Sequence, residues 1–193
     1  MAYQDDIKKA AALLLPWNKL SGCNILVTGA TGLIGGCLVD VLMAHKGRNY
    51  NVYASGRNEE RAGRRFLKYA DDNAFHFVKY DVAQPLEYDV NFQYIIHAAS
   101  GAYPEEFIKH PVEVIKGNIN GLDNLMGYGI QHGIKRLLYI SSGEVYGEGD
   151  GRVFTENYSG YVDCTSLRSC YPSSKRAAET LCISYGAEYG IDV

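Results

Sequence analysis

Short apolar runs alternate with helical patterns along most of this chain. The segments that we interpret as strands are NILVT, NVYAS, FHFVKYD, YIIHAAS and RLLYISS, which begin at residues 24, 51, 75, 94 and 136. Helical patterns separate them, and the longest covers Pro104 to about His132, with an interruption expected near Pro111. A further strong helical pattern, PSSKRAAETLCISYGAEY, begins at Pro172. This alternation predicts an α/β fold in which helices cover both faces of a parallel sheet.

The two ends of the chain lie outside the alternation. Residues 1–20 contain an amphipathic pattern from Asp5 to Leu15, which Pro16 ends, so we expect an N-terminal helical extension before a domain at residues 21–193. The last residues, YGIDV, have the pattern of the opening of a sixth strand. We therefore expect this chain to be the N-terminal portion of a longer protein.

Composition excludes several function classes. The 193 residues carry a net charge of −3 without a basic stripe, which argues against a nucleic-acid partner. No apolar stretch approaches the roughly 20 residues of a membrane helix, and the N-terminus is unlike a signal peptide, so we expect a cytoplasmic protein. The five cysteines are scattered without a C-x-x-C pair, which argues against a disulfide framework and against a metal site.

A glycine turn follows the first predicted strand. In TGATGLIG, Gly29, Gly32 and Gly35 are spaced as G-x-x-G-x-x-G between a strand and a helix. Turns of this kind let backbone N–H groups and a helix N-terminus face a pyrophosphate. The sequence therefore predicts a Rossmann-type, doubly wound sheet that binds a dinucleotide, with the rest of the turn also lining the cofactor: Thr31, Leu33 and Ile34.

The residues after the second and third strands bear on which dinucleotide is bound. NAD sites usually carry an acid about 20 residues beyond the turn, but counting from Gly35 reaches Ser55, and Arg57 is close by. The missing acid and the guanidinium favour NADP, with NAD still open. Asp81 and Val82 follow the third strand, where Asp81 could accept from the adenine amino group or cap its own loop.

Five motifs in order resemble the extended short-chain dehydrogenases/reductases, specifically the NAD(P)-dependent nucleotide-sugar epimerases and dehydratases. They are TGATGLIG, HAAS, NINGLDNL, SSGEVYG and YPSSK, and the resemblance runs from about Asn24 to the end. It implies a nucleotide-sugar substrate, a substrate-binding part beyond this chain, and a homodimer through the long helix near Asn118 and the helix after Tyr171. It also implies that His97, Ala98 and Ala99 line the cofactor, with His97 itself structural, and that Asn118 orders the site.

Tyr171 and Lys175 are four residues apart at the start of a predicted helix, so they share one face. A free tyrosine titrates near pH ~10, too high for a general base, but a neighbouring ammonium favours the phenolate. Such a phenolate could take a hydroxyl proton while hydride leaves the same carbon. The resemblance implies that Ser142 hydrogen-bonds the same hydroxyl, unless it caps a turn, and that Tyr171 and Lys175 also contact the cofactor.

Glu144 bears on the subclass. Simple 4-epimerases commonly have a small or hydroxyl residue here, whereas 4,6-dehydratases and UDP-glucuronate decarboxylases resemble this chain in having Ser/Thr-x-Glu. Gly143 replaces the Asp of many dehydratases, while Arg168 and Cys170 match a decarboxylase-like stretch, LRSCYPSSKRAAETLC.

We therefore expect Glu144 to be catalytic or to orient substrate after transient oxidation at C4; a solvated loop residue is the alternative. A simple 4-epimerase and a non-catalytic NAD(P)-binding module remain open. If the protein ends at Val193, we expect cofactor binding without turnover.

Overall fold

The computed structural model describes residues 2–101 and 103–193 and consists of one parallel sheet with helices on both faces. The helices are α1 (Ala2–Ala11), α2 (Leu33–Ala44), α3 (Glu59–Phe66), α4 (Pro104–Lys109), α5 (Pro111–His132) and α6 (Cys170–Tyr189). The strands are β1 (Asn24–Thr28), β2 (Asn51–Gly56), β3 (Phe75–Lys79), β4 (Tyr94–His97) and β5 (Arg136–Tyr139). Short 3-10 turns cover Trp17–Leu20, Leu67–Tyr69, Gly143–Tyr146 and Leu167–Ser169.

All neighbouring strands are parallel, in the order β3-β2-β1-β4-β5. The chain crosses from one side of β1 to the other between β3 and β4, so the order reverses at β1 and β4. Doubly wound sheets bind ligands outside the carboxyl ends of the strands at such a switch point. The predicted α/β class and Rossmann-type sheet are confirmed.

The core lies on the two faces of this sheet. Along β1, Ile25 and Val27 belong to a cluster with α2 and α3, whereas Leu26 belongs to a cluster with α5 and α6. Successive strand residues point to opposite faces, so a strand buried on both sides reads as a continuous apolar run. This burial fixes the position of β1 in the sheet, and therefore the position of the glycine turn that follows it.

The N-terminal helix differs in extent from the sequence expectation. It covers Ala2–Ala11 rather than Asp5 to Leu15, and Ile7 and Ala11 are buried. Pro16 disfavours helical geometry at the residue before it, and Leu13–Leu15 are exposed beyond the helix end. At the other end of the chain, residues 191–193 form no strand, although the Asp192 carbonyl accepts from the Leu137 backbone N–H at 2.9 Å.

A buried carboxylate joins α1, α2 and the region of α3. Asp40 is fully buried and accepts from Arg65 Nη2 at 2.6 Å, Tyr3 Oη at 2.7 Å and Tyr69 Oη at 2.9 Å, while Lys68 Nζ lies 2.9 Å away. Burial alone would raise the pKa of Asp40, but these hydrogen bonds outweigh it and lower the pKa to about 2. The ionised carboxylate therefore ties the N-terminal helix to the domain. Within the described ranges, no helix is long and apolar enough to span a bilayer.

Candidate cofactor and active site

The glycine turn between β1 and α2 can be built only with glycine at two positions. Gly29 has φ +64°, and a Cβ there would lie 2.6 Å from the Ala98 carbonyl oxygen. A Cβ on Gly35 would lie 2.4 Å from the Gly29 carbonyl oxygen. Gly32 is the exposed N-cap of the twelve-residue helix α2. The turn therefore leaves the helix N-terminus and its backbone N–H groups open at the switch point.

The other predicted turn residues surround this helix end. Leu33 is 87% exposed and Ile34 is also exposed, so neither contributes to the core. Thr31 lies beside the end of β2, since a Cβ on Gly56 would be 3.5 Å from its side chain. Arg57 follows Gly56 and is exposed. Arg57 is therefore at the same edge of the sheet as the turn.

Asp81 and Val82 begin the loop after β3. One carboxylate oxygen of Asp81 accepts from the Ala83 backbone N–H at 3.1 Å, so the side chain caps its own turn, and it remains exposed. The Val82 carbonyl accepts from the Asn124 side chain at 2.9 Å, which fixes this loop against α5. Asp81 thus has the capping role that was one of its two expected roles, and its side chain is exposed.

His97 ends β4 as a buried, neutral ring. Its Nδ1 is 2.7 Å from Thr28 Oγ1 at the end of β1, and the Ala99 N–H donates to the same hydroxyl at 3.3 Å. Burial, helped by the positive charge of Lys175, lowers the pKa of His97 to about 3. His97 therefore holds β1 and β4 together as an uncharged group. It also places the backbone of Ala98 and Ala99 against the glycine turn.

A chain of hydrogen bonds connects the end of β4 to the start of α6 through Asn118. Ser100 Oγ donates to Asn118 Oδ1 at 2.8 Å, and Asn118 Nδ2 donates to Ser174 Oγ at 2.9 Å. Ser174 Oγ in turn donates to the Tyr171 carbonyl at 3.0 Å. Asn118 and Ser174 are both buried. This network sets the position of the first turn of α6 relative to the sheet.

Tyr171 lies on that first turn and Lys175 lies one turn later on the same face, and both are buried beside the end of β5. Lys175 Nζ donates to the Ile140 carbonyl at 2.8 Å and lies 4.5 Å from the Tyr139 ring centre and 5.8 Å from the Tyr171 ring centre. Burial lowers the pKa of Lys175 to about 8. The Tyr171 ring stacks on Phe107 of α4, with ring centres 4.7 Å apart. The predicted pair is thus brought together with its ammonium anchored and still charged at neutral pH.

Ser142 precedes the 3-10 turn that follows β5, and Glu144 lies within that turn. Ser142 Oγ accepts from the Glu144 N–H at 3.3 Å, so this serine caps the turn. The Glu144 carboxylate accepts from Arg168 Nη2 at 2.5 Å. Both charged groups line a cleft of about 430 Å³ that Pro172, the residue after Tyr171, also lines.

Four buried polar atoms in the described part of the chain have no protein partner, and all lie within two residues of the carboxyl end of a strand. They are Ser55 Oγ, His97 Nε2, Tyr139 Oη and Ser141 Oγ. Buried polar atoms are normally satisfied, so unpartnered ones gathered at the carboxyl ends of β2, β4 and β5 indicate a ligand surface. The glycine cradle and these atoms together fit a dinucleotide laid across the strand ends.

Several contributors to this arrangement could not be found from the sequence. Phe107 supports Tyr171 and Arg168 from a different helix, and its only sequence signal is an apolar residue in a short helix. Ser100 and Ser174 belong to the motifs HAAS and YPSSK, but the sequence did not reveal that Asn118 joins them. The Ile140 carbonyl is backbone, which residue types do not reveal.

Comparison with known proteins places these features in context. The family model described as the NAD dependent epimerase/dehydratase family matches residues 25–193. UDP-glucuronic acid decarboxylase 6 of Arabidopsis thaliana is 36% identical over 176 residues, which are 90% of this chain and 49% of that protein. UDP-glucuronic acid decarboxylase 1 of Danio rerio is 33% identical over 171 residues, or 88% of this chain and 39% of the relative. The chain thus spans about half, or less, of the length of the curated relatives it matches.

Solved structures resemble the fold over a similar length. UDP-glucose 4-epimerase of Thermotoga maritima, solved with UDP-glucose, has a TM-score of 0.68 at 25% identity and covers 87% of this chain and 52% of its own. The dTDP-glucose 4,6-dehydratase of Bacillus anthracis, in complex with NAD, has a TM-score of 0.71 at 22% identity and covers 89% and 53%. The second likeness concerns the fold alone.

Proposed function

Because this chain belongs to the NAD-dependent epimerase/dehydratase family, we propose that it contributes the cofactor-binding and catalytic half of an enzyme that oxidises a nucleotide sugar transiently at C4. We further propose UDP-glucuronic acid as the substrate and loss of its carboxylate as the reaction. The observation that carries the proposal is the buried ammonium of Lys175, anchored at the end of β5 one helical turn after Tyr171 and on the same face. Binding alone does not need a tyrosine beside such an ammonium.

The cofactor proposed for this site is NAD. Gly29, Gly32 and Gly35 form the cradle for a pyrophosphate at the N-terminus of α2, and the backbone at Ala98 and Ala99 closes it from the β4 side. NAD supplies a two-electron acceptor that takes up and returns the hydrogen of an alcohol carbon. Some solved neighbours are described as NAD complexes, which supports NAD over the NADP that the missing acid favoured. Arg57 is the feature that would admit a 2′-phosphate.

Tyr171 is proposed as the general base for the C4 hydroxyl. With a pKa of about 8, the Lys175 ammonium remains largely protonated at neutral pH and stabilises a phenolate nearby. Ser142 is proposed to hydrogen-bond the same hydroxyl, and its present role as a turn cap holds the oxygen at the end of β5. The Asn118 network keeps the Tyr171 turn in place while the proton moves.

The carboxylate on C5 explains why oxidation at C4 would lead to decarboxylation. Once C4 is a ketone, the sugar is a β-keto acid, and the electrons of the bond to the departing carbon dioxide move onto the C4 oxygen as an enolate. C5 must then be protonated. Glu144 is proposed to orient the sugar and to handle this proton, since it lines the same cleft as Pro172, the residue after Tyr171.

Two features favour decarboxylation over dehydration. Gly143 stands where many dehydratases carry an acid that protonates the leaving hydroxyl, so this chain lacks that proton donor. Two of the relatives compared above, at 36% and 33% identity, are UDP-glucuronic acid decarboxylases. The likeness to a solved UDP-glucose 4-epimerase supports a simple 4-epimerase as the second candidate.

The quaternary structure proposed is a homodimer through α5 and α6. These helices pack against each other, and each exposes apolar side chains: Ile115 and Ile130 on α5 and Ile183 on α6. Unpartnered apolar surface on paired helices is typical of association sites. Sedimentation velocity tests this: a monomer that persists at micromolar concentrations would contradict it.

The function is tested by incubating the protein with NAD and UDP-glucuronic acid labelled at its carboxyl carbon. We expect labelled carbon dioxide and a UDP-pentose, both lost in Tyr171→Phe. Tyr189→Phe, on the exposed end of the same helix, is the matched control and should retain activity. Interconversion of UDP-glucose and UDP-galactose without carbon dioxide would support the 4-epimerase instead. Tight NAD binding without any turnover would support a binding module at residues 21–193.

A further inference from the structure

The cleft that Pro172, the neighbour of Tyr171, helps to line carries more acidic than basic side chains. Among the described residues around it, Glu144, Glu148 and Asp163 contribute carboxylates, and Arg168 is the one cationic side chain. A negatively charged group entering such a cleft is repelled unless a cation compensates it. Any substrate carboxylate that binds here must therefore be met by Arg168.

Contacts hold the Arg168 side chain in place but leave some of its N–H donors available. Its guanidinium carbon lies 4.6 Å from the centre of the Phe107 ring, and the same ring stacks on Tyr171. Within the described ranges, the Arg168 side chain makes one hydrogen bond, which Nη2 donates to the Glu144 carboxylate. A guanidinium has five N–H donors in a planar fork, so Nε and Nη1 remain for a second acceptor.

The pair between Arg168 and Glu144 is easily exchanged. Their side chains are 48% and 38% exposed, and ion pairs at such exposure contribute only about 0–1 kcal/mol to stability. Structural stabilisation is therefore a poor reason for the pair. An incoming carboxylate can replace Glu144 on the guanidinium at little energetic cost, and it can use the two-pronged geometry that arginine offers to carboxylates.

We propose that Arg168 selects substrates that carry a carboxylate on the sugar, and that Glu144 occupies its guanidinium until the substrate carboxylate displaces it. This inference rests on the proposed function. Displacement releases the Glu144 carboxylate beside the sugar at the moment when the correct substrate has bound. A neutral hydroxymethyl group cannot displace Glu144, so the same exchange disfavours the corresponding neutral sugar.

The test compares UDP-glucuronic acid with UDP-glucose, which differ only in the carboxylate, as ligands of the NAD-loaded protein in calorimetry. We expect Arg168→Met to weaken UDP-glucuronic acid about 10- to 100-fold, as for a lost charge-assisted hydrogen bond, and to leave UDP-glucose nearly unchanged. Glu144→Gln should act in the opposite sense and tighten UDP-glucuronic acid, because it removes the competing carboxylate. Arg152→Met is the matched control, since Arg152 pairs with Asp150 outside the cleft lining.

The possible outcomes test the role of Arg168 and the proposed function separately. If the unmodified protein prefers UDP-glucuronic acid but Arg168→Met weakens both ligands equally or neither, the assignment to Arg168 is wrong while the proposed substrate stands. If Glu144→Gln weakens UDP-glucuronic acid as much as Arg168→Met does, Arg168 serves only to hold Glu144, and the exchange is wrong. If the unmodified enzyme, together with the substrate-binding part expected beyond this chain, does not bind UDP-glucuronic acid, the proposed function fails and this inference with it.

Discussion

Replacing Lys175 with methionine should make the protein more stable while removing its proposed activity. Lys175 is almost fully buried, and burial lowers its pKa from the ordinary 10.5 to about 8. That shift means that the folded protein disfavours the charged ammonium by about 3 kcal/mol relative to the unfolded chain. Because the buried Lys175 ammonium lowers the stability of the fold, its presence is explained by a chemical role and not by folding. Methionine has a similar length and carries no charge.

The pH dependence follows from the direction of this shift. Below pH 8 the lysine is protonated in both states, so the full cost is present. Between pH 8 and 10.5 the unfolded chain binds more protons, and the stability of the wild-type protein rises until the cost is gone. Losing the hydrogen bond to the Ile140 carbonyl offsets about 1 kcal/mol of the gain. We therefore expect Lys175→Met to be more stable by about 2 kcal/mol at pH 7, with a clearly smaller difference at pH 9.5.

Urea unfolding of both proteins at pH 7 and at pH 9.5 measures this directly. Lys116→Met is the matched control, because Lys116 is an exposed helical lysine of α5 and should show little change at either pH. A Lys175→Met protein that is less stable than wild type at pH 7 would contradict the energetic cost assigned to the buried ammonium. A stability difference that is the same at both pH values would contradict it as well.

Three further predictions concern the buried carboxylate and the cofactor. Asp40→Asn should lower the free energy of unfolding at pH 7 by about 2 kcal/mol, because Asp40 has a lowered pKa of about 2. In the wild type this contribution is present above pH ~4 and is lost as pH falls towards 2, so urea unfolding that is equal at pH 7 would contradict it. Gly29→Ala should weaken NAD binding at least about tenfold in calorimetry, because Gly29 has a positive φ and lies close to the Ala98 carbonyl. The control Gly63→Ala has open space around it and should leave NAD binding unchanged. Equal NAD affinities of the two variants would contradict the role of the glycine turn. Arg57→Ala should weaken NADP and spare NAD, and an equal loss of both would show a structural role.

The fold was predictable because its signals are local and repeated. Continuous apolar runs such as the one around Leu26 are what a two-sided parallel sheet requires, and the glycine turn needs its residue types for steric reasons visible at Gly29. The ends were less predictable. The apolar residues Leu13–Leu15 completed an amphipathic pattern, but the helix ends before them, and Ile191 packs in the core without forming a strand.

The site was predictable where spacing alone decides it. Tyr171 and Lys175 share one face because they are four residues apart. Their place at the start of a helix indicated that this face belongs to the site. Long-range contacts gave no such signal: the pairing of Glu144 with Arg168 joins residues 24 positions apart, and Asn118 reaches Ser174 across 56. An acid inside the apolar helix sequence LIGGCLVDVLMA could have revealed Asp40, since an unpaired charge is seldom buried.

Transient oxidation at C4 is tested most directly by isotopic substitution of the substrate. UDP-glucuronic acid deuterated at C4 and, separately, at C3 would be compared with the unlabelled compound in single turnover with the NAD-loaded protein. We expect slower carbon dioxide release with deuterium at C4, where the C–H bond must break, and no change with deuterium at C3. Equal rates for both labels, or carbon dioxide release without NAD, would contradict it.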